Sequence, residues 1–391
     1  MFGAIYTGLS GLEAFSDGLQ AVSNNVTNLD STGFKSSSVT FANVESALDP
    51  AYAGFAGDQA TSGGGVQLGQ GVINFSAGQL QQTGQSLDLA VNGNGFLVVM
   101  DGSETRYLQT GSFQVNSDGY VVLNGTKWRL ATLDSSGQPQ AISTTPCQTY
   151  PPTATTKVPF SGNLSSSATT DTISNITVYD ATGAAHTWKA DFSQSSSTGN
   201  WSVKVTDENG NTVDTQILSF SNGTPTAATS QLTFNDAAEN LSVVFDFSAN
   251  VTSYSAEATS TLATGTIDGN AQGTLTSVTV DAKGQLSISY SNNQTKTLGG
   301  VAIATFRDPQ SLKELSGGMF SAPANAGTVI ASTGDPRVGT VQAGYLEASN
   351  VNLSAEFGNL IIIQRGYQAS SEVISTANDM LQQLFNIRGQ G

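Results

Sequence analysis

Hydrophobic residues recur every seven positions at both ends of the chain, whereas the middle shows short β-prone runs. The N-terminal series consists of Ile5, Leu12, Leu19 and Val26, joined three residues after the later members by Phe15, Val22 and Leu29. This spacing predicts an amphipathic helix of the coiled-coil type. The turn formers between Asn28 and Gly33 predict where the helix ends.

The same period returns over a longer stretch at the C-terminus. Its main series is Leu353, Leu360, Tyr367, Ile374 and Leu381, and the apolar face is widened by Ile363, Ala377, Leu384 and Phe385. Asn352 is a suitable N-cap, with Glu356 in the first turn and Arg388 near the end, as the helix dipole favours. A helix over residues 353–387 would be about 50 Å long, which exceeds the size of a compact domain.

The region between the two helices predicts mostly β structure. Residues 87–100 indicate two strands around a Gly- and Asn-rich turn, and Asn124-Gly125 and Asn209-Gly210 indicate hairpin turns within 120–133 and 201–218. Further strands are predicted at 241–247, 275–280, 286–290 and 301–306. The fold class is therefore α+β, with long terminal helices that pair as a coiled coil and mostly β domains between them.

Two composition changes predict domain boundaries. Prolines cluster in a Thr-rich stretch near residue 150, where they cannot donate to a sheet ladder, and residues 256–273 are rich in Ala, Thr and Gly. The predicted division is a terminal helical domain of 1–35 and 345–391, an irregular connecting arm of 36–75, a β domain of 76–156 and 267–344, and an inserted outer β domain of 157–266.

The charge pattern excludes two classes of partner. The chain has 14 Lys and Arg against 30 Asp and Glu, a net charge of −16, which offers no basic surface for nucleic acid. No Lys or Arg occurs between Lys35 and Arg106 or between Lys204 and Lys283, so no polybasic stretch predicts membrane binding. With only 11% charged residues, copies of the chain could pack together at a low desolvation cost.

The N-terminus lacks a basic region followed by a continuous apolar core, and no window is long and apolar enough to span a membrane. We therefore expect that the protein either stays inside the cell or leaves it without a cleaved signal peptide.

Residues suited to catalysis are scarce. His186 is the single histidine and lies in a predicted strand, which favours a structural role. Cys147 is the single cysteine, which excludes an internal disulfide and a multi-cysteine metal site. The sequence thus predicts no catalytic, cofactor-binding or metal-binding residues, and no enzyme.

A calcium loop is suggested by the spacing of Asp207, Asn209, Asn211 and Asp214. The loop would require Gly where Thr212 stands and Glu where Leu218 stands, so a hairpin turn is the favoured interpretation.

The terminal helices could simply pair within one molecule, but small residues flank the N-terminal series and give an isolated helical hairpin little stability. These flanking residues are Gly8, Gly11, Ala14, Gly18 and Ala21. Because an uncovered apolar stripe marks an interface, we predict that the heptad residues of both ends form an assembly interface between molecules.

Both ends resemble the flagellar rod and hook protein family. The segment SGLEAFSDGLQAVSNNVTNLDSTGFKSSSVTF resembles its N-terminal signature, and GYLEASNVNLSAEFGNLIIIQRGYQASSEVISTANDMLQQLFNIR resembles its C-terminal signature. The motif residues are Asn24, Asn25, Asn28, Thr32, Gly33, Phe34, Lys35, Gln364, Arg365, Tyr367 and Gln368. The segments GQGVINFSAGQLQQTGQSLDLAVNGNGFLVV, YLQTGSFQVNSDGYVVL and TLGGVAIATFRDPQSLKELSGGMF are similar to the family's shared β domain, whereas 157–266 has no such match.

The resemblance implies a helical homopolymer in which the terminal helices line an inner tube and the β domains lie outside. It implies export through the flagellar secretion apparatus to an extracellular position, contacts with a rod, a hook cap and hook-filament junction proteins, and a bendable tube that transmits torque as a universal joint. The large insertion favours the hook over the distal rod. A distal rod protein and, in a different class, a secreted β-rich adhesin or hydrolase are the alternatives.

Overall fold

A computed structural model describes residues 2–43, 65–69, 71–134, 136–195, 199–255 and 259–388. The chain forms two compact units. The first comprises Met1–Thr145, Val278–Ser287 and Thr297–Gly391, and the second comprises Pro146–Ser277 and Ile288–Lys296. The segment 157–266, which the sequence predicts as an insertion, falls within the second unit. Of the predicted arm 36–75, residues 44–64 and 70 lie outside the described residues.

Two long helices begin and end where the heptad pattern predicts. Helix α1 spans Phe2–Thr27 and helix α2 spans Leu353–Arg388. The Asn352 side chain caps α2, since its Oδ1 accepts hydrogen bonds from the backbone N–H groups of Ser354 (3.1 Å) and Ala355 (3.2 Å). The predicted α+β fold with paired terminal helices is confirmed.

Short strands fill the region between the helices. In the first part of the chain they are β1 (Ser37–Ser38), β2 (Phe41–Asn43), β3 (Val66–Leu68), β4 (Val72–Ile73), β5 (Leu80–Gln82), β6 (Asp88–Asn92), β7 (Phe96–Asp101), β8 (Glu104–Leu108), β9 (Thr110–Val115), β10 (Val121–Leu123), β11 (Arg129–Leu133), β12 (Pro139–Ala141) and β13 (Thr149–Tyr150). A 3-10 turn at Thr145–Cys147 precedes β13.

The remaining strands have two to ten residues. They are β14 (Lys157–Asn163), β15 (Thr170–Tyr179), β16 (Ala185–Gln194), β17 (Asn200–Thr206), β18 (Thr212–Ser221), β19 (Thr224–Pro225), β20 (Gln231–Asp236), β21 (Leu241–Asp246), β22 (Val251–Thr252), β23 (Ala263–Thr264), β24 (Gly273–Val280), β25 (Gln285–Tyr290), β26 (Thr295–Gly300), β27 (Ala302–Thr305), β28 (Lys313–Glu314), β29 (Phe320–Ser321), β30 (Val329–Ser332), β31 (Thr340–Ala343) and β32 (Tyr345–Glu347). A second 3-10 turn spans Pro309–Ser311.

A twelve-stranded sheet forms most of the β structure described in the first unit. Its main order is β28-β29-β8-β7-β11-β10-β9-β6-β31, with β12, β27 and β30 paired off this path. Aromatic rings fill its core, where Phe96 packs edge-to-face against Phe306 at 5.4 Å and Tyr107 packs against Phe306 at 4.8 Å. The predicted strands around residues 92–95 exist as β6 and β7, although each pairs with other strands.

Two sheets pack face to face in the second unit. One has the order β15-β16-β17-β18-β19, and the other has the order β20-β21-β14-β22 with β23 attached to β14. Side chains from both sheets enter one core, which includes Trp188, Trp201, Phe192, Phe234, Phe245 and Phe247. This arrangement is a β-sandwich that completes its own core.

One turn design recurs in the hairpins. Asp134, Asp180, Asp207 and Asp281 each begin a D-x-x-G turn, and each carboxylate accepts backbone N–H groups two and four residues later. The glycine has a positive φ in every case, from 69° to 86°. The predicted hairpins at Asn124-Gly125 and Asn209-Gly210 are confirmed, since β10 pairs with β11 and β17 pairs with β18.

Candidate assembly surface of the terminal helices

The two helices pack antiparallel with small residues of α1 at the centre of the contact, which we call the helix seam. A Cβ atom on Gly8 would lie 2.6 Å from Ile374 Cγ1, and one on Gly11 would lie 2.5 Å from Ser370 Oγ. Farther along, a Cβ on Gly18 would lie 3.2 Å from Ile363 Cδ1. The glycines thus let α2 approach the α1 backbone closely.

The opposite arrangement occurs at one place in the seam, where α2 supplies the glycine. The ring of Phe15 lies against Gly366, so closely that a Cβ there would overlap the ring. Phe15 also packs against Phe41 from strand β2, with ring centroids 5.1 Å apart. The segment that follows α1 therefore folds back onto the helix pair.

The predicted assembly residues fall into three groups by exposure. Val22, Ile363 and Ala377 are buried in the seam. The half-buried group is Ile5, Leu12, Phe15, Leu19, Val26, Leu29, Leu360, Ile374 and Leu381, and the exposed group is Leu353, Tyr367 and Leu384. Only part of the heptad face is covered within one molecule, and its role between molecules stays a prediction.

Helix α2 also exposes apolar side chains outside its main heptad series, on both flanks of the seam and beyond it, and we call these side chains together the exposed helix face. Its members are Phe357, Ile361, Ile362, Val373, Met380 and Phe385, with 44–67% of each residue accessible to solvent. The sequence signal for it was the run of three isoleucines at 361–363. Successive helical residues point about 100° apart, so three in a row cannot all enter one seam.

A groove of about 560 Å³ runs beside the helix pair. Ala4 of α1 and Ala369, Val373 and Met380 of α2 line it. Its walls are mainly apolar, and two of these side chains belong to the exposed helix face. The groove could receive apolar side chains of another helix.

A buried ion pair joins the segment after α1 to strand β32. Lys35 Nζ lies 2.7 Å from Glu347 Oε1, and the two side chains are 1% and 2% exposed. Lys35 Nζ also donates to the Ser76 carbonyl at 3.0 Å, and the Gly78 N–H donates to the Glu347 carboxylate. These hydrogen bonds compensate part of the cost of burying the charges.

Two asparagines satisfy backbone groups beside this ion pair. The Asn25 amide accepts the Ser37 N–H at 3.0 Å and donates to the Ser37 carbonyl at 2.8 Å and to Glu356 Oε1 at 3.0 Å. The Asn350 side chain accepts the Ser36 N–H at 2.8 Å and donates to the Asn74 carbonyl at 2.7 Å. The last part of α1 and the residues just before α2 are thus both tied to Ser36 and Ser37.

Gly33 occupies a position in the same region that other residues would fit poorly. Its φ is 69°, and a Cβ there would lie 2.6 Å from Thr110 Cγ2. The Gly33 N–H donates to the Glu347 carbonyl at 2.8 Å. Glycine therefore lets the turn after α1 pass close to Glu347.

Some of the family motif residues lie in these buried contacts around Lys35 and Glu347, and the others lie on the surface. Asn25, Gly33 and Lys35 are buried, Asn28 and Phe34 are half-buried, and the exposed members are Asn24, Thr32, Gln364, Arg365, Tyr367 and Gln368. Sequence reasoning missed Glu347 and Asn350 as partners of the motif. Their signal in the sequence was an acidic and a polar residue shortly before α2, because the only lysine in the N-terminal motif would need an acidic partner if it were buried.

Two family models match the ends of the chain. The model described as "Flagella basal body rod protein" matches residues 5–35, and "Flagellar basal body rod FlgEFG protein C-terminal" matches residues 342–387. Among the described residues, neither helix is long and apolar enough to cross a membrane.

Curated relatives extend the similarity over the whole chain. The flagellar hook protein FlgE of Escherichia coli is 29% identical, over 97% of this chain and 98% of that protein. The FlgE of Borreliella burgdorferi is 26% identical, over 99% and 100%. The flagellar basal-body rod protein FlgG of Bacillus subtilis is 23% identical, also over 99% and 100%.

The fold also resembles a crystal structure of Helicobacter pylori flagellar hook protein FlgE2. The TM-score is 0.50 at 12% sequence identity, with 68% of this chain and 98% of that chain covered. This likeness concerns the fold alone.

Proposed function

Because this chain belongs to the flagellar rod and hook protein family, we propose that it is a structural subunit of the flagellar hook and polymerises through its terminal helices. The observation that carries the assembly mechanism is the exposed helix face. Its six apolar side chains lie on a helix that already has an intramolecular partner, so the pairing of α1 with α2 leaves them accessible. Contact with helices of neighbouring subunits would remove this apolar area from water.

The low charge of the surface supports packing between identical copies. Helix α1 carries only Glu13 and Asp17 as charged residues, so few ions would have to be desolvated when it is enclosed by neighbours. The predicted assembly residues would then line the contacts between subunits, and the β units would extend outward. A tube built in this way transmits motor torque while it bends.

The family also supports the finer expectations about partners and location. The subunit would leave the cell through the flagellar export apparatus without a cleaved signal peptide and would contact the rod, the hook cap and the hook-filament junction proteins. Its function is mechanical, not enzymatic, in keeping with relatives named as hook and rod proteins.

The substitution Ile362→Asp tests the assembly surface, because Ile362 is 67% exposed and its change should leave the monomer folded. We expect the variant to keep the thermal unfolding temperature of the wild type and to form no tubes in electron micrographs. A buried charge without a partner at every subunit contact explains the loss. Asn378→Asp, at an exposed polar position of the same helix, is the matched control and should polymerise. Normal tubes from Ile362→Asp would contradict the proposed surface.

A distal rod function is the second candidate, because the FlgG relative aligns over nearly the full chain. Tube shape separates the two. Curved tubes from the purified protein would support the hook, and straight tubes would support the rod.

A further inference from the structure

Three titratable side chains meet at one end of the β-sandwich in the second unit. Asp180 begins the turn between β15 and β16, His186 follows at the start of β16, and Glu239 lies in the turn between β20 and β21. His186 Nε2 is 3.7 Å from Asp180 Oδ2 and 3.7 Å from Glu239 Oε2. One ligand atom from each residue lies within 4.8 Å of the others.

The imidazole points its Nε2 atom toward both carboxylates from a sheltered position. The His186 side chain is 12% exposed, and Nε2 is buried without a hydrogen-bond partner among the described residues. Distances of 3.7 Å are too long for hydrogen bonds to the two oxygens. A buried ring nitrogen in this state needs another partner.

The turn holds Asp180 in place and leaves one of its oxygens free for such a partner. Its Oδ1 accepts the N–H of Thr182 at 2.9 Å, the Thr182 hydroxyl at 2.8 Å and the N–H of Ala184 at 2.8 Å. Its Oδ2 makes no contact in the turn and remains directed at the imidazole.

A third carboxylate faces the other ring nitrogen. Glu208 Oε1 lies 3.9 Å from His186 Nδ1, on the opposite side of the ring from Asp180 and Glu239. In metal sites a carboxylate near the second nitrogen commonly orients the ring and fixes which nitrogen carries the proton. At 3.9 Å Glu208 is beyond hydrogen-bonding distance, so it would have to move closer to Nδ1 to orient the ring in this way.

We propose that Asp180, His186 and Glu239 form a binding site for a divalent transition-metal ion of the zinc type. One imidazole nitrogen and two carboxylate oxygens are ligands that suit Zn²⁺. At metal–ligand distances of about 2.0–2.2 Å in tetrahedral geometry, ligand atoms lie about 3.4 Å apart. The two carboxylate oxygens would therefore approach Nε2 from 3.7 Å, and they would also approach each other from a separation within 4.8 Å. The fourth position is open to water.

The bound ion would join the two sheets of the sandwich. Asp180 and His186 belong to the sheet of β15 and β16, whereas Glu239 belongs to the hairpin of β20 and β21 in the other sheet. Binding to the folded state raises the stability of the second unit in proportion to the logarithm of free metal over Kd. The site is therefore a metal-dependent clamp across one end of the sandwich.

The competing interpretation is that protonated His186 is balanced by the surrounding carboxylates without any metal. Because His186 is the only histidine of the chain, its ring signals in NMR spectra report on this site alone. The experiment titrates the chelator-treated full-length monomer with zinc chloride and records these signals and the thermal unfolding temperature. One equivalent of Zn²⁺ should shift the ring signals and raise the unfolding temperature of the second unit.

A pair of matched substitutions assigns the binding to these residues. Asp180→Asn keeps an oxygen that can accept the turn hydrogen bonds and should weaken Zn²⁺ binding at least about tenfold, as should Glu239→Gln and His186→Gln. Asp281→Asn makes the same change in an equivalent D-x-x-G turn and should bind Zn²⁺ like the wild type. Ring signals that respond to pH but not to Zn²⁺, or equal Zn²⁺ affinity in Asp180→Asn, would overturn the proposal.

Discussion

The helix pair and the β-sandwich bury their apolar residues to very different extents. In the sandwich, Trp188, Trp201 and Phe245 are each 0% exposed, whereas on α2 Ile362 is 67% and Phe385 is 66% exposed. Both regions contain enough apolar residues to form a core, but only the sandwich encloses them with its own strands. The difference indicates that the sandwich completes its own core, and under the proposed assembly other subunits would cover the apolar side chains that the helices expose.

The largest effect on assembly is expected from removal of the two terminal helices. Deletion of residues 1–30 and 352–391 should abolish tube formation and leave a β-rich monomer, since the sandwich core lies entirely in the second unit. Electron microscopy and a cooperative thermal transition followed by circular dichroism check both halves of this expectation. Tubes formed by the truncated protein would show that the helices are not the assembly element.

The reciprocal deletion serves as its control. Residues 157–266 contain the strands of both sandwich sheets, and the flanking Thr153 and Asn270 form an antiparallel bridge whose two hydrogen bonds are 2.9 and 3.0 Å long. A short glycine linker from 156 to 267 should therefore close the chain. We expect this variant to polymerise with altered bending, because the helices remain.

A smaller effect, confined to the first unit, is expected from Glu347→Gln. The change leaves the Lys35 ammonium buried without its counter-charge and should lower the free energy of unfolding of that unit by about 3–5 kcal/mol. Trp128→Phe provides a background in which the remaining tryptophans, Trp188 and Trp201, report on the second unit alone. Denaturant unfolding should then show the loss in circular dichroism but not in tryptophan fluorescence.

A pH effect confined to the second unit is expected from Asp246. Burial raises its pKa, but hydrogen bonds from Lys157 and Ser248 outweigh burial and lower the pKa from 3.8 to about 2. Because the folded pKa lies below the unfolded one, this stabilisation is present above about pH 4 and is lost as the pH falls toward 2. Asp246→Asn should cost about 1–2 kcal/mol at neutral pH and less at pH 2, measured by tryptophan fluorescence in the Trp128→Phe background. A pH-independent cost would argue against the ion pair as its cause.

The smallest effects are expected from alanine substitutions at two glycines, one in each helix. A Cβ on Gly358 meets no atom within 4 Å, so Gly358→Ala should stabilise α2 by about 0.5–1 kcal/mol. A Cβ on Gly8 would lie 2.6 Å from Ile374, and Gly8→Ala should destabilise the helix pair by about 1–3 kcal/mol. Helical circular dichroism during thermal unfolding of the monomer measures both. Equal stabilisation by both alanines would mean that the seam is not tightly packed.

Local sequence patterns predicted the elements well, because a helix period, an N-cap and an Asn-Gly turn act over a few residues. The existence and bounds of both helices and the turn of β17 and β18 followed from such patterns. The centre of the seam did not follow from the pattern. The heptad series placed Leu12 and Leu19 in an interface between molecules, which stays a prediction, whereas within one molecule Gly11 and Gly18 pack closely against α2.

Long-range partners could not be predicted from one sequence. Lys35 and Glu347 are 312 positions apart, and only the folded β part brings them together. The proposed metal site also depends on a long-range contact. His186 and Asp180 are neighbours in a hairpin, but Glu239 reaches them from the opposite sheet. The sequence prediction of an isolated strand histidine could not include that third residue.

The apolar character of the exposed helix face has a thermal consequence. Transfer of such side chains out of water is driven mainly by entropy near room temperature and lowers the heat capacity, so the association that it drives weakens in the cold. Tubes held by Ile361, Ile362 and Met380 would therefore lose subunits more readily on ice than at room temperature. Excluded salts such as sulfate would strengthen the same contacts.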